Sequence, residues 1–431
     1  MAARTSNGLS YGVGRWSGGS VAFLGLSLMF VLLGIYAYSQ QAIHGEVVTG
    51  LRNIGLMGGA TWGLYVAFLV YFMGVSFAGI TISAIVRLFD LKVLKPITRI
   101  AELMTIIALI LGALTIMSDV GKPLRAILYL PLYGRPMSPF FGTFTIVISG
   151  YFFASLVYFY LNGRKDAAIC AEQATGALKG FYQFWAAGYK DTPLERRRHE
   201  QSTFWLAVAL LPLLVVATST LGAVFGLQGG RPGWHSALQA PGFVILGGVS
   251  GIGHLIILAA LFRVFTSETD KISMEVFKWL GNILMVLILL YTYFMVVEWL
   301  TVSYASSSHE GKISMALLSG RYAGVFWLSV VALLVPAVLL FTQFAQGKYT
   351  IGVAVLSGVL VNVAAIGKRY LIVVPSQTHG TLLPYGTGQY TPSWVEVSVI
   401  LGLLGLGAFL YILFVKVFPI MEVADAGKGE M

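Results

Sequence analysis

The sequence holds a single cysteine, Cys170, among its 431 residues. One thiol cannot form an intramolecular disulfide, ligate an iron–sulfur cluster or make the two links of a C-x-x-C-H haem attachment. Six histidines are present, and His254 alone falls within an apolar run, so no histidine pair is placed to ligate a buried haem. We therefore expect no haem, iron–sulfur cluster or other metal site in this chain, and expect any such centre to belong to a partner.

Charged side chains are also scarce, at 11% of residues, whereas soluble domains carry about 25%. Hydrophobic residues make up 57% of the chain, which indicates an integral membrane protein. The net charge of +10 is divided among many short connections rather than gathered in one patch. This distribution favours a role in membrane topology and attraction to anionic lipid, and excludes nucleic acid as an expected partner.

Apolar runs of about 20 residues or more recur along the whole chain, long enough to cross a hydrocarbon core as helices. We predict an all-α polytopic membrane protein with about ten transmembrane helices. The predicted spans are 21–39, 60–89, 97–118, 143–161, 203–226, 242–265, 274–304, 323–345, 350–374 and 394–418. The first run is long enough to span and lacks a small-residue cleavage site, so a cleaved signal peptide is not expected.

Lysine and arginine predict the orientation of these spans. Most of the lysine and arginine residues lie at the termini and in the even-numbered connections between spans. The largest contribution comes from residues 163–202, which contain the basic run ERRRHE. Basic connections stay on the cytoplasmic side, so both termini should be cytoplasmic, in a multi-pass protein of a bacterial or archaeal cell membrane. The aromatic and lysine-containing stretch before ERRRHE is typical of an amphipathic helix at the membrane surface.

A short internal repeat indicates two similar halves. The segments GVS at 74–76 and RLF at 87–89 recur as GVS at 248–250 and RVF at 263–265. The copies lie four spans apart, in the second and sixth spans, so both should cross the membrane in the same direction, as in parallel structural repeats. Short glycine-containing matches also arise by chance in apolar sequence, and both interpretations stay open from the repeat alone.

Ionisable residues inside spans are costly and mark candidate functional positions. In the third span, Arg99 and Glu102 are spaced i, i+3, which allows a structural ion pair with each other. Glu298 in the seventh span is placed to relay protons or to hydrogen-bond a neighbouring helix. His254 in the sixth span fits a proton relay or a packing role.

Lys368 and Arg369 lie deep in the ninth predicted span. A buried arginine needs a carboxylate or a cluster of carbonyls as its partner. Glu298 and Glu396, the latter in the tenth span, are the carboxylates that the sequence offers for it. The patterns of soluble enzymes, such as a phosphate loop or a nucleophile elbow, are absent.

Several segments together resemble one family. SDVGKPLRAILYLPLYGRPMSPFFG at 118–142 resembles the Asp-x-Gly-Arg-Pro turn and following Ser-Pro segment of the NrfD family, the membrane subunits of polysulfide reductase and related complexes. GVSFAG at 74–79, YTYFMVVEW at 291–299, NVAAIGKRYLIVVP at 362–375 and YTPSWVEVSVILG at 390–402 resemble its ten-helix branch. That branch includes membrane subunits of alternative complex III and of heterodisulfide-reductase-like menaquinol complexes.

The resemblance implies two four-helix bundles flanked by a first and a last helix. The corresponding divisions are 1–59, 60–226, 227–375 and 376–431. It also implies a quinol site near the non-cytoplasmic side of the first bundle, beneath a docked iron–sulfur subunit. Further expected partners are cytochrome c or molybdopterin-type subunits, other membrane subunits and lipid. The substrate would be menaquinone or ubiquinone, with no catalytic redox centre in this chain.

Two groups of residues carry this hypothesis. The expected quinone contacts are Asp119, Glu102, Arg99, Arg125, Tyr133 and Phe77, and the expected proton or structural relay is Glu298, Arg369, Lys368 and His254. Quinol oxidation releases two protons, so a base must lie near the head group. We expect Asp119 or Glu102 to be this base, while the roles of individual catalytic residues stay open.

One departure from the family pattern opens an alternative. Several ten-helix members have a quinol-binding histidine where this chain has Phe77, whose ring cannot accept a proton. Lys122 replaces an arginine of the family turn, which keeps the charge but loses the bidentate fork. The alternative is a non-catalytic paralogue that serves assembly or proton conduction. A transporter is disfavoured, because paired broken helices are not evident.

Overall fold

The computed structural model describes residues 13–14, 16–51, 60–133, 137–138, 144–266, 272–305, 308–379 and 388–423. Within these residues the regular structure is entirely helical. Among the described residues, ten helices are long and apolar enough to cross a membrane, which confirms the predicted fold class of an all-α, multi-pass membrane protein. They are α1 (Gly18–His44), α2 (Leu64–Phe89), α3 (Thr98–Asp119), α5 (Phe144–Gln173), α7 (Pro193–Gly226), α8 (Gln239–Thr266), α9 (Met274–Ala305), α11 (Ala323–Gln346), α12 (Ile351–Val373) and α14 (Trp394–Val417).

Shorter helices lie in the connections, namely α4 (Pro123–Tyr133), α6 (Gly176–Ala186), α10 (Ser308–Leu318) and α13 (Pro375–Thr378). The charged residues and the prolines and glycines of residues 119–142 predict a turn followed by a loop, and this prediction is wrong for α4. Pro123 begins this helix, at the position where a proline is compatible with helix geometry. The helix predicted before the basic run is confirmed as α6, and Tyr182 anchors it by donating to the Val417 carbonyl over 2.6 Å.

The flanking helices α1 and α14 pack against each other along their lengths. We call α2, α3, α5 and α7 the first bundle, and α8, α9, α11 and α12 the second bundle. The two bundles meet where α8 packs against α2 and α7, and α12 also contacts α2. The predicted division at residues 59, 226 and 375 stays a prediction.

Glycines allow these close helix contacts. A Cβ atom at Gly34 of α1 would lie 2.7 Å from the Cα of Gly402 in α14, and one at Gly74 of α2 would lie 3.1 Å from the Cα of Gly247 in α8. Helices in membranes associate through such small-residue surfaces, because lipid provides little hydrophobic driving force between them. The close contact between the bundles thus involves Gly74 of the first GVS copy and Gly247, which precedes the second copy.

The repeated serines make the same local hydrogen bond. Ser76 donates to the Met73 carbonyl over 2.8 Å, and Ser250 donates to the Gly247 carbonyl over 3.1 Å. The basic residue that follows each copy differs in its contacts. Arg87 reaches side chains of α5 and α7, whereas Arg263 donates to the Ile272 carbonyl just beyond α8. The two repeat copies therefore lie side by side, but they organise different surroundings.

Candidate functional site

The expected quinone contacts fall at opposite ends of α3. Glu102 lies in the second turn and Asp119 is the last residue of this helix, so the helical rise separates them by about 26 Å. Arg99 lies with Glu102, whereas Arg125 follows Asp119 as an exposed residue of α4. One quinone head group cannot contact both ends. The structure thus splits the expected set into two separate groups.

Arg99 is held by an ion pair inside the first bundle. Its Nη2 lies 2.5 Å from Oδ2 of Asp166 in α5, and both side chains are only 3% exposed. Arg99 also donates to the carbonyls of Pro419 and Asn162, over 3.1 and 3.2 Å. The Val423 amide donates to the other oxygen of Asp166 over 3.1 Å. This pair therefore joins α3, α5 and the segment after α14.

Glu102 has different partners from Arg99, so the i, i+3 ion pair considered from the sequence was wrong. Its Oε1 accepts from the Ser83 hydroxyl over 2.5 Å and from the Asn162 amide over 2.6 Å. The residue is 2% exposed. Tyr158 approaches the same serine at 3.4 Å. Neutral hydrogen-bond donors, rather than a guanidinium, hold this buried carboxyl group.

Asn162 connects Glu102 to a second arginine, Arg87 of α2. Arg87 donates from Nη2 to the side-chain oxygen Oδ1 of Asn162 over 2.7 Å and from Nη1 to the Thr203 hydroxyl over 2.9 Å. The charged and amide groups thereby connect α2, α3, α5 and α7 at one end of the first bundle. We call this set, together with Arg99 and Asp166, the closed cluster, because its charged groups are surrounded by protein partners.

At the other end of α3, polar residues of α1 and α2 surround the region of Asp119. Gln41 donates to the carbonyl of the neighbouring Ser118 over 2.8 Å and to Glu46 over 3.1 Å. Tyr65 donates to the Gln41 side-chain oxygen over 2.8 Å. This network ties the ends of α1, α2 and α3 together. Asp119 lies near Tyr65 of this network, at the end of α3 that the distribution of lysine and arginine predicts to be non-cytoplasmic.

Glu396 caps α14 and does not partner an arginine. Its carboxylate accepts from the Tyr390 hydroxyl over 2.6 Å, the Gly50 amide over 2.7 Å and the Ser393 amide over 2.9 Å. Ser393 accepts from the Glu396 amide in return, which completes a capping box. Burial and the adjacent carboxylate raise the pKa of Tyr390 above its usual range. Of the two carboxylates considered as partners of Arg369, Glu396 is therefore excluded.

Arg369 packs on an aromatic ring at the seam between the bundles. Its guanidinium carbon lies 4.1 Å from the centroid of the Phe243 ring, and Nη2 donates to the Phe243 carbonyl over 3.3 Å. Within the described part of the chain, Nη1 makes no hydrogen bond. A Cβ atom at Gly74 would lie 3.6 Å from Nη2, which shows how closely α2 approaches. A carbonyl and a ring face thus replace the expected carboxylate partner.

The neighbouring Lys368 lies beside Glu298, with 3.9 Å between Nζ and Oε2. The two side chains are 17% and 41% exposed, and both line a cavity of about 400 Å³. The cavity is bordered by α9, α10, the start of α11, the end of α12, α13 and the segment before α8, and we call it the Glu298 cavity. His235 also lines it, with Nδ1 at 3.1 Å from the Gly226 carbonyl oxygen. A carboxylate, an ammonium and an imidazole therefore border one space.

The remaining candidates lie elsewhere. His254 lines a separate cavity, which shares no lining residue with the Glu298 cavity. Phe77 is half-buried and packs among the apolar side chains of the first bundle. Tyr133 ends α4, and its side chain lies outside the described residues. No group of three histidine, cysteine or acidic side chains among the described residues is placed to hold a metal ion.

Sequence reasoning missed Asp166 and Asn162, two of the main partners in the closed cluster. The fourth span was predicted to end at residue 161, whereas α5 continues to Gln173. Both residues were therefore taken as part of a connection. Their i, i+4 spacing, with a carboxylate and an amide on one helical face, was the available signal.

Comparison with known proteins places this chain among membrane subunits. The sequence profile described as polysulphide reductase, NrfD, matches residues 52–379. A chain of Halobacterium salinarum named as a membrane subunit of dimethyl sulfoxide reductase is 26% identical, over 93% of this chain and 92% of the relative. A subunit of selenate reductase from Mesobacillus selenatarsenatis is 25% identical, over 92% and 94%. The Hdr-like menaquinol oxidoreductase integral membrane subunit of Archaeoglobus fulgidus is 24% identical, over 94% and 95%.

Proposed function

The chain belongs to the NrfD family, and from this premise we propose that it is the membrane subunit of a respiratory oxidoreductase complex. In this proposal it binds menaquinol or ubiquinol from the bilayer and exchanges electrons with an iron–sulfur partner on the non-cytoplasmic side. The names of the relatives support the class of complex, since they describe subunits of two reductases and of a menaquinol oxidoreductase. Both termini are proposed to be cytoplasmic, in a bacterial or archaeal cell membrane.

The Glu298 cavity carries this proposal. Its volume of about 400 Å³ lies within the range of ligand pockets, about 300–1,000 Å³. Apolar side chains such as Met295, Trp299 and Phe326 form much of its wall. Glu298 and Lys368 add polar groups that a quinol hydroxyl could hydrogen-bond. The cavity therefore combines an apolar lining with the few polar groups that orient a head group.

The chemistry requires a proton acceptor at this position. Oxidation of a quinol to a quinone releases two electrons and two protons, and the electrons pass to the partner's clusters. The partly exposed Glu298 carboxylate can take a hydroxyl proton, and the Lys368 ammonium lies 3.9 Å away as its countercharge. His235 on the cavity wall offers a second group for proton transfer. Cytochrome c or molybdopterin-type subunits would carry the electrons further.

This assignment moves the head group from the first bundle to the second. Asp119 and Arg125 stay proposed as the alternative contact site at the end of α3, close to where the resemblance implies quinol. Arg99 and Glu102 belong to the closed cluster, where they are proposed to hold the first bundle together. Experiments that treat the two bundles separately can distinguish these positions.

The decisive experiment measures quinol-dependent reduction of the iron–sulfur partner in the purified complex, together with binding of a quinol analogue. We expect Glu298→Gln to lower the reduction rate by about 100-fold or more, since positioned acid–base groups contribute about 10² to 10⁴. Glu172→Gln, an exposed residue near the end of α5, is the matched control and should leave the rate unchanged. A normal rate in Glu298→Gln would overturn the assignment to the second bundle.

The parallel variant Asp119→Asn tests the first bundle in the same assay. A near-normal rate supports the Glu298 cavity, whereas a loss confined to Asp119→Asn would move the head group to the end of α3. The half-buried Phe77 favours the alternative function of a non-catalytic paralogue, because an apolar ring occupies the position of a family histidine. That alternative predicts no analogue binding to this subunit and unchanged rates in both variants.

A further inference from the structure

A second cavity, of about 230 Å³, lies between the flanking helices and the bundles. Residues of α1, α2, α3, α8 and α14 form its wall, so it is separate from the Glu298 cavity. Ser17, Ser20 and Lys416 border one end, and His254 and Tyr71 line its interior together with apolar side chains. We call it the His254 cavity.

The His254 cavity extends from one rim of the membrane toward its centre. Ser17 caps the start of α1, and Lys416 lies in the last turn of α14, so both mark the rim. His254 is 15 residues from the start of α8 and 12 from its end, which corresponds to about 22 and 18 Å of helix. The histidine therefore lies near the midplane of the bilayer.

His254 is a polar group in apolar surroundings. Its neighbours on the cavity wall include Ile257, Leu258 and Leu261 of the same helix. Among the described residues, its ring nitrogens make no hydrogen bond to protein. A polar group away from water without a partner costs free energy, and a ligand that hydrogen-bonds it would recover that cost.

Tyr71 adds a second polar group at this depth. Its hydroxyl donates to the Asn362 side-chain oxygen over 2.8 Å, and the Asn362 amide donates to the Gly358 carbonyl over 2.7 Å. The Tyr71 hydroxyl proton is thus already used in the hydrogen bond to Asn362, while the hydroxyl oxygen can still accept a hydrogen bond. The inner part of the cavity therefore presents an imidazole and a hydroxyl oxygen beside an apolar surface.

We propose that the His254 cavity binds an isoprenoid quinone, distinct from the one assigned to the Glu298 cavity. A quinone ring would place an oxygen at His254 and direct its apolar chain along Phe72, Leu261 and Phe265 toward the lipid. A phospholipid would bind in the opposite orientation, with its phosphate at Lys416 and its acyl chain against His254. That arrangement leaves the imidazole without a hydrogen-bond partner, so the geometry favours the quinone.

This second site shares no lining residue with the Glu298 cavity, so the two proposals can fail independently. The test counts molecules of a short-chain naphthoquinone analogue bound per purified complex, at equilibrium in detergent. Wild type should show two classes of bound analogue on this subunit. His254→Leu should weaken one class about tenfold or more, and Ala408→Trp, which fills the cavity from α14, should abolish the same class.

Controls separate the outcomes. His309→Leu, an exposed histidine of α10, should leave both classes unchanged, and Glu298→Gln should affect only the other class. Unchanged analogue binding in both His254→Leu and Ala408→Trp would overturn the inference. Recovery of phospholipid rather than quinone from wild type, displaced by Ala408→Trp, would also overturn it.

Discussion

The two bundles start from similar segments and use charge in different ways. In the first bundle, Arg99 and Asp166 are 3% exposed and their charges meet inside protein. In the second bundle, Lys368 and Glu298 are paired more loosely at 3.9 Å, and both border a cavity. A charge enclosed by protein partners contributes mainly to structure, whereas a charge at the edge of a space is available to a ligand. Burial alone therefore does not identify the functional group.

The largest expected effect concerns the ion pair in the closed cluster. Asp166→Asn leaves the Arg99 guanidinium buried without its carboxylate, and loss of one partner of a buried pair costs about 3–5 kcal/mol of unfolding free energy. Lys368→Met, in the second bundle, should cost less than about 1 kcal/mol because its partner is 41% exposed. Denaturant unfolding of the purified chain in detergent measures both values. Equal losses would remove the distinction between the bundles.

A medium effect is expected at the seam that joins the bundles. A Cβ atom at Gly251 would lie 2.8 Å from the Val75 carbonyl oxygen and closer still to the Ala78 side chain. Gly251→Leu should therefore overpack the seam and cost about 1–3 kcal/mol. Gly150→Leu is the control, because nothing lies within 4 Å of a Cβ atom there. Unfolding midpoints that fall equally in both variants would show that the seam is not rigid.

The smallest effect on stability is expected for the exposed ion pair between Arg196 and Asp191. Arg196 donates to Asp191 over 2.5 and 3.2 Å, and this hydrogen bonding lowers the pKa of Asp191. Because the pKa of Asp191 is lower in the folded than in the unfolded protein, its ionised carboxylate stabilises the fold at pH values above the unfolded pKa of about 3.9. This contribution disappears as the pH falls through the folded pKa.

The matching measurement compares wild type with Arg196→Gln from pH 7 downward. A small difference in unfolding midpoint should persist from pH 7 to 5 and shrink below about pH 4. A difference that grows on acidification would contradict the role assigned to this carboxylate.

The sequence was sufficient for the number and type of the spanning helices. Membrane thickness and the need to satisfy every backbone group leave few alternatives for apolar runs of this length. Helix α4 was not predicted, because the prolines and glycines of residues 119–142 are typical of a loop. Pro123 is also compatible with the first turn of a helix.

Partners of buried charges were harder to predict. Sequence spacing suggested Glu102 for Arg99 and a carboxylate for Arg369, whereas the structure supplies Asp166 and the carbonyl and ring of Phe243. These partners come from other helices, and their choice depends on rotation and depth, which periodicity does not fix. The cavities likewise arise from gaps between helices that are distant in sequence. The sequence thus identified the ionisable residues inside the spans, but it did not predict which of them contact each other or border the same cavity.

The contact between Gly34 and Gly402 also has a consequence for biosynthesis. Helix α1 leaves the ribosome before its partner α14, which begins about 350 residues after α1 ends. At a synthesis rate of about 5–20 residues per second, α1 waits roughly 20 to 70 s for that partner. During this interval the glycine surface of α1 faces lipid or the insertion machinery. The packing of α1 is thus completed only when α14 has been made and inserted.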